Sequence, residues 1–253
     1  MWKTVRRFHL AGTLSVVGGL LLWEVVSKYL IANPLFLASP SEIVTAIYHL
    51  SLTGEMQKHI DASASEFLIG YVIASAIGIA FGFGMANSPG FRQALQPWIS
   101  GLYATPTIAL APLFILWLGI GIWSKVMVVV FLVLFPVAIN TEAGLRTTSE
   151  RLIEMLRSFG ATSRQIFFKV SLPSALPFIL AGLKLGIGRG LIGVVVAELF
   201  GARAGLGQLI SASADTFNMP DLFAGVVVLA FAGIAMTAGF SWLETKLVPW
   251  TKD

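Results

Sequence analysis

Phe67-Leu-Ile-Gly-Tyr-Val-Ile-Ala-Ser-Ala-Ile-Gly-Ile-Ala-Phe-Gly-Phe-Gly-Met-Ala86 carries no charged residue. A helix needs about 20 apolar residues to cross about 30 Å of hydrocarbon, so a run of this length reads as a membrane span. Gly70, Ala74, Gly78, Gly82 and Ala86 recur within it at every fourth position. Such a row of small residues lies along one helix face and lets a neighbouring backbone approach closely. It predicts a tight helix interface inside one subunit, in preference to a dimer contact.

Five further segments repeat the apolar character. Leu10 to Ala32 carries Glu24 and Lys28 near its end, and the stretch between Arg92 and Lys125 has no charge. Val126 to Leu145 is interrupted only by Glu142, Leu172 to Leu199 contains Lys184, Arg189 and Glu198, and Leu222 to Leu243 is clean. The whole chain agrees with this reading. Of 253 residues, 56% are hydrophobic and 12% charged, and the mean hydropathy is +0.83, too little polar surface to coat a soluble globule. The expected fold is therefore all-α and polytopic, with six transmembrane helices in one domain over 1–253. Its parts are a first span at 10–32, an external connection at 33–65, spans two to four within 66–146, a loop at 147–171, and spans five and six within 172–243.

The net charge of +4 reads as membrane orientation, not nucleic-acid binding, because the charges sit between apolar runs. Lys3, Arg6, Arg7, Arg92, Arg146, Arg151, Arg157, Arg164, Lys169, Lys246 and Lys252 gather on one face, against Lys28, Lys58, Lys125 and Arg203 on the other. Cytoplasmic flanks retain lysine and arginine, so both termini are expected in the cytoplasm. The first apolar stretch is too long for the core of a cleavable signal, and five spans follow it.

Zero cysteines exclude a disulfide framework and a thiol nucleophile. The histidines, His9, His49 and His59, lie outside the central spans, leaving no buried base for a serine nucleophile and no histidine metal cluster. No enzymatic activity, resident cofactor or metal is expected. Gly201-Ala-Arg-Ala-Gly-Leu-Gly207 lacks the Gly-Lys-Ser/Thr ending of a phosphate loop and reads as a turn.

Pro97, Pro106 and Pro112 punctuate the third segment. Broken helices at membrane depth are tolerated where they are buried in protein or line a watery cavity. Two readings follow: Tyr103, Thr105, Thr107 and Leu110 flank a solute path, or Pro97 starts the helix and the other prolines add a packing kink. In the fifth segment Lys184 is placed to snorkel towards the cytoplasmic end. Arg189 either pairs with a carboxylate from another helix or attracts an anionic solute, and Glu198 is expected near the outer surface, capping a loop. In the external connection, Ser39-Pro-Ser-Glu42 resembles a helix start. Ile43, Val44, Ile47 and Leu50 then suggest a short amphipathic helix on the bundle rim.

The most patterned polar stretch is Thr147 to Ser171. Thr147 and Ser149 suit a helix start, Leu152, Leu156 and Phe159 form a stripe at helical spacing, and Gly160 supplies a stop. Thr162 with Gln165 forms a second capping pattern, and Leu172-Pro173 is expected to break the chain before the fifth span. Two short helices at a sharp turn result, a knob suited to a partner's groove.

Glu154-Met-Leu, Gly160 and Val170-Ser-Leu-Pro173 resemble the EAA loop of binding-protein-dependent ABC importer permeases, with Met155 and Leu156 in place of the alanines and Val170 in place of isoleucine. Pro106-Thr-Ile-Ala-Leu-Ala-Pro-Leu113, Leu118-Gly-Ile-Gly-Ile-Trp-Ser-Lys125, Asn140-Thr141 ahead of Gly144, and Leu191 to Glu198 followed by Gly205-Leu-Gly207 are similar to its nitrate, sulfonate, taurine and bicarbonate branch. That branch often has arginine where this chain has Glu66.

The resemblance implies a type I, MetI-like importer fold in the bacterial inner membrane. It also implies two cytoplasmic ATPase subunits that bind ATP and Mg, an external solute-binding protein, and a second permease copy. A related second permease chain is the alternative to a homodimer. Glu154, Leu156, Arg157, Ser158, Phe159, Gly160, Ala161 and Arg164 would contact the ATPase, with Leu172 and Pro173 closing the motif. The implied solute is a small anion: a sulfonate such as taurine, nitrate, bicarbonate or an aromatic carboxylate. Thiamine-precursor transporters also resemble this branch and run against an anion rule. The rival function is an ATP-independent carrier or channel, which leaves the patterned loop unexplained.

Overall fold

The computed structural model describes residues 2–31, 33 and 35–251. The side chains of 2–11, 107 and 251 lie outside the description, so it does not reach the orienting charges of Lys3, Arg6, Arg7 and Lys252, the Thr107 side chain, or Ala32 at the end of the expected first span. Among the described residues all regular structure is helical. The order is α1 (Trp2–Val25) with a π turn at Val26–Ile31, α2 (Pro40–Leu52), α3 (Glu55–Asn87), α4 (Pro89–Ala104), a 3-10 turn at Thr107–Leu110, and α5 (Ala111–Leu118). Then come α6 (Ile122–Arg146), α7 (Glu150–Ser158), α8 (Ser163–Ile166) with a π turn at Phe167–Ser171, α9 (Leu172–Leu199), α10 (Leu206–Asp215) and α11 (Met219–Leu247).

Among the described residues, five helical runs are long and apolar enough to cross a membrane: Gly12–Ile31, α3, α6, Ser163–Leu199 and α11. The sixth expected span is a broken one, α4 and the 108–118 segment meeting at 86°. Thr105 is extended, with ψ 135°, because the residue before a proline is pushed out of the helical region. Pro106 then forces the break. Pro97 lies inside α4, which starts at Pro89, so it does not begin the helix, and Pro112 falls in the first turn of α5.

α6 is the central helix, packed along α3 on one side and α9 on the other. Phe67 and Ala74 of α3, Val126, Val129, Val130, Val133 and Val137 of α6, and Ile187 and Val194 of α9 form the main core. The small-residue row carries out its expected role within the subunit. A Cβ at Gly82 would stand 2.5 Å from Thr141 Cβ and 2.8 Å from the Ala138 carbonyl, so only glycine lets α3 reach α6 there. Van der Waals contact over such lengths replaces the hydrophobic driving force that lipid cannot supply.

A second cluster closes the end of the bundle carrying α2 and α10. Ile43, Ala46 and Leu50 of α2 pack with Leu206, Leu209 and Ala224. Val44, expected in the apolar stripe, is 67% exposed because the buried stripe runs 43, 46 and 50. The capping box forms as expected: Ser39 N–H donates to Glu42 Oε2 at 2.8 Å, as does the Ser39 hydroxyl. These donors hold the Glu42 carboxyl below its ordinary value. Glu24 at the end of α1 accepts from Ser41 N–H and Oγ, and Trp23 meets Phe223 edge-on at 5.7 Å. α1 is thus fastened at that end, while Leu14, Val16, Leu21 and Leu22 stand exposed on the subunit.

α10 lies where the sequence suggested only a connection. The expected break at Leu172-Pro173 is also corrected. The π turn at Phe167–Ser171 carries the helix through, Pro173 sits in the first turn of α9, and 163–199 is one helical run. Widened π turns absorb a missing backbone donor without ending a helix.

Candidate functional site

At the end of the bundle opposite α2, the 147–171 connection builds a protruding knob. Ser149 caps α7 through its carbonyl, which accepts from Leu152 and Ile153 N–H, while its side chain makes no cap bond. The helix ends in a Schellman turn: Gly160 N–H donates to Arg157 O at 2.9 Å and Ala161 N–H to Leu156 O at 3.0 Å. Gly160 has φ +84°, the left-handed conformation that disfavours any side chain. Thr162 and Gln165 then form a reciprocal capping box that starts α8.

No residue of α7 is buried. Phe159 is 80% exposed at the tip, Leu152 and Met155 are exposed, and Leu156 and Ala161 are half-buried. Glu154, Arg157, Ser158, Gly160 and Arg164 are exposed around them. The alternative in which this stripe packs on the bundle does not occur. Ile166 is buried and Phe167 meets Phe83 of α3 at 5.7 Å, so the base of the knob is seated while its tip is free. Leu172 and Pro173 are half-buried at the start of α9.

The broken span brings two of the path residues together. Arg189 Nη2 donates to Tyr103 Oη at 2.9 Å, and the guanidinium lies 5.0 Å over the Tyr103 ring. The carboxylate partner considered for Arg189 is therefore replaced by a phenol. Thr105 Oγ1 donates to Gly101 O, one turn back in α4, and Leu110 is half-buried beside α5. Lys184 is tied to Glu244 of α11 at 3.2 Å. Arg92 of α4 pairs with Glu142 of α6.

Sequence reasoning missed a polar cluster at the far end. Glu198 caps the following loop as expected, but it is 1% exposed and not at the surface. Its oxygens accept from Ser63 Oγ at 2.6 Å and from Gly207 N–H at 2.6 Å, and Gly205 N–H donates to His59 Nδ1 at 3.0 Å. The cause is the 201–207 turn, which folds back over the end of α9. Gly205, at φ +133°, passes so close that a Cβ would stand 2.2 Å from Glu198 Cδ. Beside it Lys125 Nζ donates to Glu66 Oε1 at 2.8 Å, with both side chains buried. The position where arginine is common in the resembled branch thus carries the acidic half of an ion pair. The signal in the sequence was Glu66 itself, an acid at the edge of an apolar run. Among the described residues no three His, Cys, Asp or Glu side chains converge as a metal site.

The model of the family described as binding-protein-dependent transport system inner membrane component matches residues 74–253. The chain belongs to that family. It is 35% identical to the formylaminopyrimidine transport permease protein ThiX of Halalkalibacterium halodurans, over 92% of each chain. It is 31% identical to the taurine transport system permease protein TauC of Escherichia coli, over 98% of this chain and 92% of that one. A structure described as inward-facing conformations of the MetNI methionine ABC transporter shares the fold, with a TM-score of 0.60 at 20% identity, covering 78% of this chain and 95% of the other. This chain is thus an ABC importer permease of the MetI type, a multi-pass inner-membrane transporter subunit and not itself an enzyme.

Proposed function

We propose that this permease works as a homodimer with both termini in the cytoplasm, driven by two ATPase subunits that bind ATP and Mg and fed by an external solute-binding protein. The observation that carries the reading is the free knob, with Phe159 displayed at a Schellman turn whose base is held against α3. In this reading Phe159 is the apolar anchor in the ATPase groove. Leu156 and Ala161 support it, Glu154, Arg157, Ser158 and Arg164 make the polar contacts, and Gly160 sets the turn. Leu172 and Pro173 pass the displacement into α9. ATP-driven closure favours the outward-open bundle, and hydrolysis restores the inward-open one. The ATPase can shift that balance only if it contacts the knob differently in the two states.

The solute path runs beside the broken span, along Tyr103, Thr105, Thr107, Leu110 and Arg189. The solute class is a small anion, with a sulfonate preferred among nitrate, bicarbonate and aromatic carboxylates. Arg189 and the similarity to taurine and aliphatic sulfonate transport permeases support this choice. The test is reconstitution in vesicles with the cognate ATPase and a taurine-loaded binding protein. ATP-dependent uptake is expected, and Glu154→Lys is expected to abolish it while membrane insertion is retained. Uphill uptake by the permease without any ATPase would refute the assignment.

A further inference from the structure

Arg189 lies well inside α9, and it is exposed within the subunit although Gly186, Ile187 and Gly190 around it are buried. The other cation in α9, Lys184, is neutralised by Glu244. Arg189 takes part in none of the ion pairs among the described residues and has the Tyr103 phenol and ring as its partner. A guanidinium carries more N–H donors than one phenol oxygen can satisfy, and a cation at membrane depth faces water or a partner. Tyr103 sits in the last turn of α4, two residues before Thr105, where the span breaks, and the 3-10 turn beyond the break packs on α9. The contact therefore joins the continuous helix to the broken one across the site of the bend.

We propose that the Arg189–Tyr103 contact is an anion-exchange latch. The oxyanion of the solute, a carboxylate or sulfonate, takes the guanidinium in a paired hydrogen bond, displaces the phenol, and so releases the α4–α5 elbow from α9. This rests on the permease reading above and adds the group that selects charge and the step that registers its arrival. The exchange runs towards the anion because an oxyanion carries the opposite charge and accepts two parallel N–H bonds from the guanidinium, where the neutral phenol oxygen accepts one. Lysine at this position would attract the anion without the two-point geometry.

The chain contains no cysteine, so a single introduced thiol reports the site. Ile108, 43% exposed on the 3-10 turn, is replaced as Ile108→Cys in the assembled transporter. It is labelled with methanethiosulfonate reagents bearing a sulfonate, a trimethylammonium or no charge, each rate corrected for reaction with a free thiol in water. The sulfonate reagent is expected to react about tenfold faster than the cationic one, as for a focused field. Arg189→Gln brings the ratio near one, and Arg189→Lys keeps most of it. Millimolar methanesulfonate speeds labelling by the neutral reagent. In Tyr103→Phe that labelling is already fast and no longer responds. Equal anionic and cationic rates, or a ratio unmoved by Arg189→Gln, overturn the charge-selecting role. Neutral labelling indifferent to methanesulfonate overturns the latch. ATP with vanadate is included as a separate arm: a preserved charge ratio without any nucleotide response would sink the coupling reading and leave the anion site standing.

Discussion

Single residues carry the sharpest consequences where charge is buried. Glu66 and Lys125 are paired at 2.8 Å with side chains 5% and 9% exposed. Removing one member leaves the other uncompensated, which costs about 3–5 kcal/mol, whereas an apolar pair of similar volume is tolerated. Lys125→Met is therefore expected to lower the thermal unfolding midpoint in detergent markedly, and Glu66→Met with Lys125→Met to recover most of it. A double variant as unstable as the single one would show that the ion pair is not the reason. At Gly160, φ +84° makes any L side chain cost about 1–2 kcal/mol. Apart from Gly160 and its two chain neighbours, nothing lies within 4 Å of the position a Cβ would take. Gly160→Val is thus expected to distort the knob without disturbing the bundle: ATP-driven uptake falls, while detergent stability and membrane insertion hold.

At the scale of elements, the spans differ in what a substitution meets. Gly82→Leu would force α3 off α6 at Thr141 and is expected to destabilise the bundle by about 1–3 kcal/mol, read as reduced yield of folded protein. Phe159→Ala removes an exposed ring from the turn that ends α7, so stability is expected to stay unchanged while copurification with the ATPase weakens. A fall in both would place Phe159 in the bundle's own packing. The pattern explains what the sequence could reveal. Spans, the Gly70–Gly82 row, the α2 cap and the Thr162–Gln165 cap were legible because they depend on neighbours within a few turns. The loop-capping role of Glu198 was legible, but its burial was not, because that depends on Gly205 folding back and on Ser63, 135 positions away. Pro173 misled for the opposite reason: a π turn, which leaves no mark in hydrophobic period, carries the helix past it.

In the whole molecule, α6 is the axis and everything else is arranged about it. α1 is fastened at one end, by Glu24 to Ser41 and Trp23 to Phe223, with Leu14, Val16, Leu21 and Leu22 uncovered. A second copy over part of this surface is the expectation, and the mass of the detergent-purified complex, two permease chains with two ATPase chains, checks it. The run from Ser163 to Leu199 has a further mechanical meaning. At 1.5 Å per residue it is a rod of about 55 Å. It lies along α6 from Ala175 and Phe178 against Gly144 to Gly193 against Leu132, so the pair would tilt as one body. Such a rod is a seesaw. A rock of about five degrees about its midpoint would swing each tip by about 2 Å in opposite senses, widening one mouth as the other narrows, while Arg189, about 12 Å from the centre, would travel about 1 Å.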